Sequence, residues 1–158
     1  MIIGVDSAIG LDADDPAAFG RDVDDSGNAL ADTIAIVRID PVGGQAWSLT
    51  IPRDLLVDIP GARVPVQKIN AASLIGGAPL LVETVSTNFD VQINHYVELD
   101  FLAFRDVVDE LGGVPIWFPR PAVDQRTGFN VAARGCHVLD GEHVLSLIHI
   151  SEPTRRPI

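Results

Sequence analysis

At 158 residues, with 47% of them hydrophobic and 21% charged, the chain is long enough for one domain with a real core. A formal net charge of -11 argues against nucleic acid as the main partner, because polyanion binders neutralise phosphates with clustered Lys and Arg. Local phosphate binding stays open to such a chain if it concentrates a few arginines or recruits a cation.

Ile2 to Val5 is a short apolar run ending at Asp6, the pattern of a buried strand that delivers a carboxylate at its C-terminal end. Nothing stands ahead of it to enter a sheet, so the sequence is expected to begin inside a longer native chain. Gly10 to Asn28 contains Asp12, Asp14, Asp15, Asp22, Asp24 and Asp25 with little periodicity and reads as a solvated loop. Asp22, Asp24, Ser26 and Gly27 fit the first half of a calcium-binding loop. The position of the bidentate Glu is Thr33, however, and no flanking helix is readable, which argues against that site.

Thr33, Ala35, Val37 and Ile39 form one face of the next segment and Ile34 and Ile36 the other, as expected for a central strand covered on both sides. Asp40-Pro41 with Gly43-Gly44 marks a turn, and Trp47, Leu49 and Ile51 alternate with polar residues up to Pro52, which predicts a hairpin. Behind the Gly76-Gly77 break, Pro79 opens a helix carrying Leu81, Val82, Val85 and Phe89 at helical spacing. A second helix is predicted from the N-cap Asp100, with Phe101, Phe104, Val108 and Leu111 on one face and Gly112-Gly113 as its stop. Val97 and Leu99 before it, and Val114, Ile116 and Phe118 after it, read as strands. The order strand, helix, strand gives an α/β domain with helices packed on a sheet.

Arg53 follows Pro52 where the second hairpin strand gives way to a loop, so it is expected to point out of the sheet toward the strand ends. Its planar guanidinium can donate parallel hydrogen bonds to phosphate oxygens and stays charged throughout. The plainer alternative is a surface arginine paired with Asp54. Asp6 and Asp32, on the residues alone, read as turn or cap residues at strand ends. Cys136 is the only cysteine, expected as a buried thiol or as half of a bridge whose partner has been lost. His95, His137 and His143 lack metal-ligand spacing, and the Gly-Gly pairs lack the Lys-Ser/Thr of a P-loop.

The stretch Asp32-Thr33-Ile34-Ala35, followed by Ile51-Pro52-Arg53-Asp54, Gln67-Lys68-Ile69-Asn70-Ala71-Ala72, Asn94 to Phe101, Phe104 to Pro115 and Gly135 to Glu142, resembles the LytR-CpsA-Psr family from Ile2 to about Val144. No single one of these motifs is decisive; their order over that length is. The resemblance implies a central mixed sheet flanked by helices, an αβα arrangement present only in part, over residues 1–144. It implies a cell-wall phosphotransferase that moves a glycopolymer from a polyprenyl-(pyro)phosphate carrier to peptidoglycan. Such an enzyme would work at the outer face of the bacterial cytoplasmic membrane, held by an N-terminal anchor absent from this sequence. Asp6 and Asp32 match the family's magnesium-binding aspartates, and Arg53 its pyrophosphate contact. Arg53 and Asp32 are therefore the expected catalytic pair, and Mg²⁺ the expected cofactor.

Lys68 and Asn70 lie in a matched motif and would either contact the phosphate or fix the loop. Many relatives carry an arginine two residues before the second aspartate, where this chain has Leu30; Arg21 and Arg63 are the candidate replacements. The family's lipid slot would be lined by Leu80, Leu81, Val85, Phe101, Leu102, Phe104 and Val108, though most of these read equally as ordinary core. Residues 145–158, beginning Leu145-Ser146-Leu147-Ile148, look like a translated sequencing adaptor and are expected to be non-native. They stand where the family continues a helix into an arginine-rich stretch. Two rival functions share the same residues: hydrolysis of a polyprenyl pyrophosphate by water, and non-catalytic binding of lipid or carbohydrate.

Overall fold

Two units, divided between Asp100 and Phe101, make up the described part of the computed structural model, which covers residues 1–5, 7, 30–124 and 127–151. Asp6, Arg21 and the acidic block with its calcium-like residues Asp22, Asp24, Ser26 and Gly27 lie outside the described residues.

The first unit comprises β1 (Ile2–Val5), β2 (Ala31–Ile39), β3 (Ala46–Ile51), β4 (Leu56–Asp58), β5 (Val66–Lys68), α1 (Ala71–Phe89) and β6 (Val97–Leu99). Four of the strands form one mixed sheet in the order β3-β2-β1-β6, with β1 antiparallel to β2 and parallel to β6. The α/β class and mixed sheet are as expected. The β2–β3 hairpin is also as expected: the Asp40 carboxylate accepts the Val42 N–H at 2.9 Å across its turn. Those turn N–H groups, Val42 first and Gly43 next, hold the Asp40 carboxyl below its usual range.

Burial follows the short β1. Ile3 and Val5 pack with Ile34 of β2, Ile51 of β3 and Ala72, Leu81 and Val85 of α1. Beyond the reach of β1 the hairpin projects outward, so Trp47 and Leu49 are exposed and only Ile51 of the predicted apolar face is buried. The Arg38 guanidinium covers the Trp47 ring at 5.8 Å.

The α1 helix is interrupted where the sequence places a break. Gly77 has φ 63° and ψ -158°, a backbone region essentially closed to other residues, and Pro79 then opens the second segment where its missing N–H costs nothing. The turn Ala71–Ile75 ahead of the break goes unpredicted because so short a run carries no periodicity. Asn88 ties α1 to β4, its amide donating to the Asp58 carbonyl at 2.8 Å and accepting the Asp58 N–H at 3.3 Å.

The second unit comprises α2 (Phe101–Glu110), β7 (Val114–Phe118), β8 (Ala122–Val123), β9 (Asn130–Val131), β10 (Gly135–Leu139) and α3 (Gly141–Ser151). Gly112 and Gly113, at φ 80° and 91°, end α2 as predicted, with the Gly113 N–H donated to the Val108 carbonyl at 2.9 Å. Val108, Phe118, Phe129, Val131, Leu139 and Val144 form the core. Leu111, predicted on one face of α2 with Val108, lies just past the helix and is exposed.

Among the described residues β7 pairs with β10, antiparallel. Pro115 within β7 lacks an N–H, which suits a small ribbon better than a sheet interior. Cys136 departs from the expected buried thiol: it is exposed, because it shares the outward face of this ribbon with Trp117, its cross-strand partner. Leu81, Val85 and Val108 of the expected lipid slot are core residues. From Asp140 the chain continues as a helix through Ser151, with Val144 and Leu145 buried and Leu147 packed on the second core.

Candidate functional site

The strand pairing that builds the sheet also builds the site. On β1, Gly4 faces Thr33 and Val5 faces Ala31, so Asp32 is the extra residue of a β-bulge, unpaired on that side and turned out of the regular pleat. On the other side of β2, Ile34 faces Ile51. Two residues back from one and two forward from the other stand Asp32 and Arg53. The two side chains meet there, the Arg53 Nη1 donating to Asp32 Oδ1.

Pro52 closes the ladder and starts a turn in which the Leu55 N–H reaches the Pro52 carbonyl at 3.0 Å. A second matched motif clamps this turn. The Ile69 N–H donates to the Leu55 carbonyl at 2.8 Å, and the Asn70 N–H to the Arg53 carbonyl at 3.3 Å. Lys68 on β5 pairs with Asp54 at 2.6 Å. Asp54 thus pairs with Lys68, and Arg53 with Asp32. Lys68 and Asn70 both contact this loop, one by charge and one by backbone.

Two ion pairs therefore stand on the consecutive residues Arg53 and Asp54, just past the end of β3. They are open to solvent, with side chains 44% (Arg53), 30% (Asp32), 59% (Lys68) and 59% (Asp54) exposed. Asp6, the other half of the expected metal pair, lies outside the described residues; Val5 before it ends β1 opposite Ala31, beside Asp32 in sequence. Arg63 lies in the turn between β4 and β5, at the end of that hairpin remote from Lys68. Leu30 is exposed.

Among the described residues no group of three or more His, Cys, Asp or Glu could hold a metal. The bulge at Asp32 and the buried hydroxyl of Ser73 beneath it were not read from the sequence. A bulge depends on the register of two strands far apart in the chain, which single-strand periodicity does not contain. Among the described residues no helix is long and apolar enough to cross a membrane.

Comparison with known proteins gives the family. The chain is 33% identical over 148 residues to the probable cell wall biosynthesis protein LcpB of Corynebacterium glutamicum, covering 94% of this chain and 34% of that protein. It is 35% identical over 145 residues to the polyisoprenyl-teichoic acid–peptidoglycan teichoic acid transferase TagT of Bacillus subtilis, covering 89% of this chain and 43% of that one. It thus spans less than half the length of these curated relatives. Among solved structures, the LytR-CPS2A-psr family protein YwtF (TagT) with bound octaprenyl pyrophosphate lipid matches at a TM-score of 0.64 and 28% identity, over 92% of this chain and 53% of that one. The LytR_cpsA_psr family model matches residues 1–152, and the chain belongs to that family.

Proposed function

We propose that the intact protein transfers a glycopolymer from a polyprenyl-(pyro)phosphate carrier to a peptidoglycan hydroxyl, at the outer face of the bacterial cytoplasmic membrane. The observation that carries this reading is the meeting of Arg53 with Asp32 at the sheet end, beside the Lys68–Asp54 pair. The name of the TagT relative and the octaprenyl pyrophosphate held by a solved family member support it.

The acceptor hydroxyl gives its proton to solvent as its oxygen forms a bond to the phosphorus joined to the glycan, the bond from that phosphorus to the bridging oxygen breaks, and the lipid phosphate leaves. Little covalent work falls to the protein in such a step, which is governed by positioning and electrostatics. Arg53 would donate to the oxygens of the diphosphate through the guanidinium's several N–H groups. Lys68 would add a second positive charge. Asp32 uses Oδ1 to orient Arg53 and has a second oxygen to offer a cation, with Asp6 as the companion carboxylate. Mg²⁺, when bound, would neutralise charge on the phosphoryl oxygens.

Incubating a full-length version with labelled lipid-linked glycan, with and without peptidoglycan, tests the reading. Transfer that requires the acceptor and Arg53 is the expected result. Release of lipid phosphate at the same rate without acceptor identifies a hydrolase instead. Unchanged ligand retention by Asp32→Ala, with no transfer and no effect of Mg²⁺, identifies a binding module.

A further inference from the structure

Ala31 is fully buried at the edge of the bulge, so its N–H needs an acceptor inside the protein. It donates to the Ser73 hydroxyl at 3.1 Å, and that hydroxyl donates in turn to the Asn70 carbonyl at 2.8 Å. Ser73 is itself only 4% exposed. Asn70 passes the connection on, its N–H reaching the Arg53 carbonyl at 3.3 Å.

Because Ala31 precedes Asp32, and Asp32 holds the Arg53 guanidinium, these contacts close into a ring. It runs from the Asp32 carboxylate to the Arg53 side chain, along the Arg53 backbone to Asn70, through Ser73 and back to Ala31. The ring has one side-chain link remote from the site, Ser73. That position requires a small group that accepts and donates at once, which a hydroxyl does and a methyl group does not.

We propose that Ser73 is a positioning residue: its hydroxyl ties the strand end bearing Asp32 to the loop bearing Arg53, so that an incoming diphosphate meets a guanidinium already held in place. The consequence for ligand binding rests on Arg53 being the diphosphate ligand; the holding of the guanidinium does not.

The experiment uses the full-length protein, with guanidinium NMR of Arg53 and calorimetric binding of inorganic pyrophosphate. Wild type is expected to show separate, slowly exchanging Nη resonances for Arg53, and Ser73→Ala to show averaged ones. Pyrophosphate affinity should fall about tenfold in Ser73→Ala, the worth of roughly one lost hydrogen bond. Ser73→Thr, which keeps the hydroxyl, should restore both readouts. In an Arg53→Gln background Ser73→Ala should have no further effect on affinity. Held Arg53 resonances in folded Ser73→Ala overturn the proposal, as does an equal loss of affinity with and without Arg53. Should Ser73→Ala fail to fold, Ser73→Cys, with a thiol that bonds weakly, is expected to give the averaged signal, and held resonances there overturn it too. If Arg53→Gln binds pyrophosphate as tightly as wild type, the functional reading fails, while the guanidinium signal still decides the role of Ser73.

Discussion

Asp32 and Arg53, 21 positions apart in the chain, face one another because one sits in a β-bulge and the other lies just past the end of the strand that pairs alongside. The pair is partly open to water, with the arginine side chain 44% exposed. An ion pair so placed contributes only ~0–1 kcal/mol to stability. Its value to the protein lies elsewhere.

A separation of function from stability follows. Arg53→Ala and Asp32→Ala should each change the free energy of urea unfolding by less than about 1 kcal/mol. Each should slow glycan transfer on the order of 100-fold, the usual loss when a group aimed at developing charge is removed. Arg53→Lys keeps the charge and loses the planar fork, so it should fall between wild type and Arg53→Ala. Parallel loss of stability and transfer in Asp32→Ala would mean that the carboxylate is structural.

Lys68 offers a distinguishable case. Its pair with Asp54 is exposed, so Lys68→Met should leave unfolding nearly unchanged. Pyrophosphate binding should weaken less than in Arg53→Ala, and its dependence on salt should become shallower, because one screened charge has been removed from the site. A salt dependence identical to wild type would confine Lys68 to holding the loop.

Much of this architecture could be read from local pattern. The β2–β3 hairpin announces itself through Asp40-Pro41 and Gly43-Gly44, and the break in α1 through Gly76-Gly77-Ala78-Pro79, since proline fixes the backbone and glycine opens conformations closed to other residues. Arg53 at the strand end was legible for the same reason. What local pattern does not carry is pairing: that Asp32 is bulged, that Asp54 pairs with Lys68, and that Trp47 and Leu49 lie beyond the reach of a four-residue β1. The exposed Cys136 has the same origin, since the face it shares with Trp117 is defined only once β7 and β10 have paired.

Acid should act on α3 through its cap. Asp140 Oδ1 accepts the His143 N–H at 2.9 Å and lies 2.6 Å from the His143 ring Nδ1. The backbone N–H, ahead of the ring, holds the Asp140 carboxyl below its usual range. A carboxyl with a lowered folded-state pKa contributes stability that is fully present above its unfolded value and lost as pH falls through the folded one. Asp140→Asn can still cap without titrating, so any advantage of wild type over it should shrink below about pH 4. Asp140→Ala should lose about 0.5–2 kcal/mol at neutral pH. A wild-type advantage over Asp140→Asn that is constant from neutral pH into acid would remove the carboxylate from the account.

The glycine after that aspartate is fixed by packing. Its N–H donates to Asp109 Oδ1 at 2.7 Å, which brings the start of α3 against α2. A Cβ at Gly141 would lie 2.3 Å from the Arg105 carbonyl oxygen and 2.7 Å from its Cα, both backbone atoms that no rotamer change can move aside. Gly141→Ala must therefore push the two helices apart, at a cost of about 1–3 kcal/mol, as overpacking usually brings. Asp109→Asn keeps an oxygen for the Gly141 N–H and should cost less than about 1 kcal/mol. With Trp47→Phe as background, Trp117 is the only tryptophan and reports on the second unit during urea unfolding. An unfolding midpoint unmoved by Gly141→Ala would show that α2 and α3 do not approach as closely as the Asp109 contact requires.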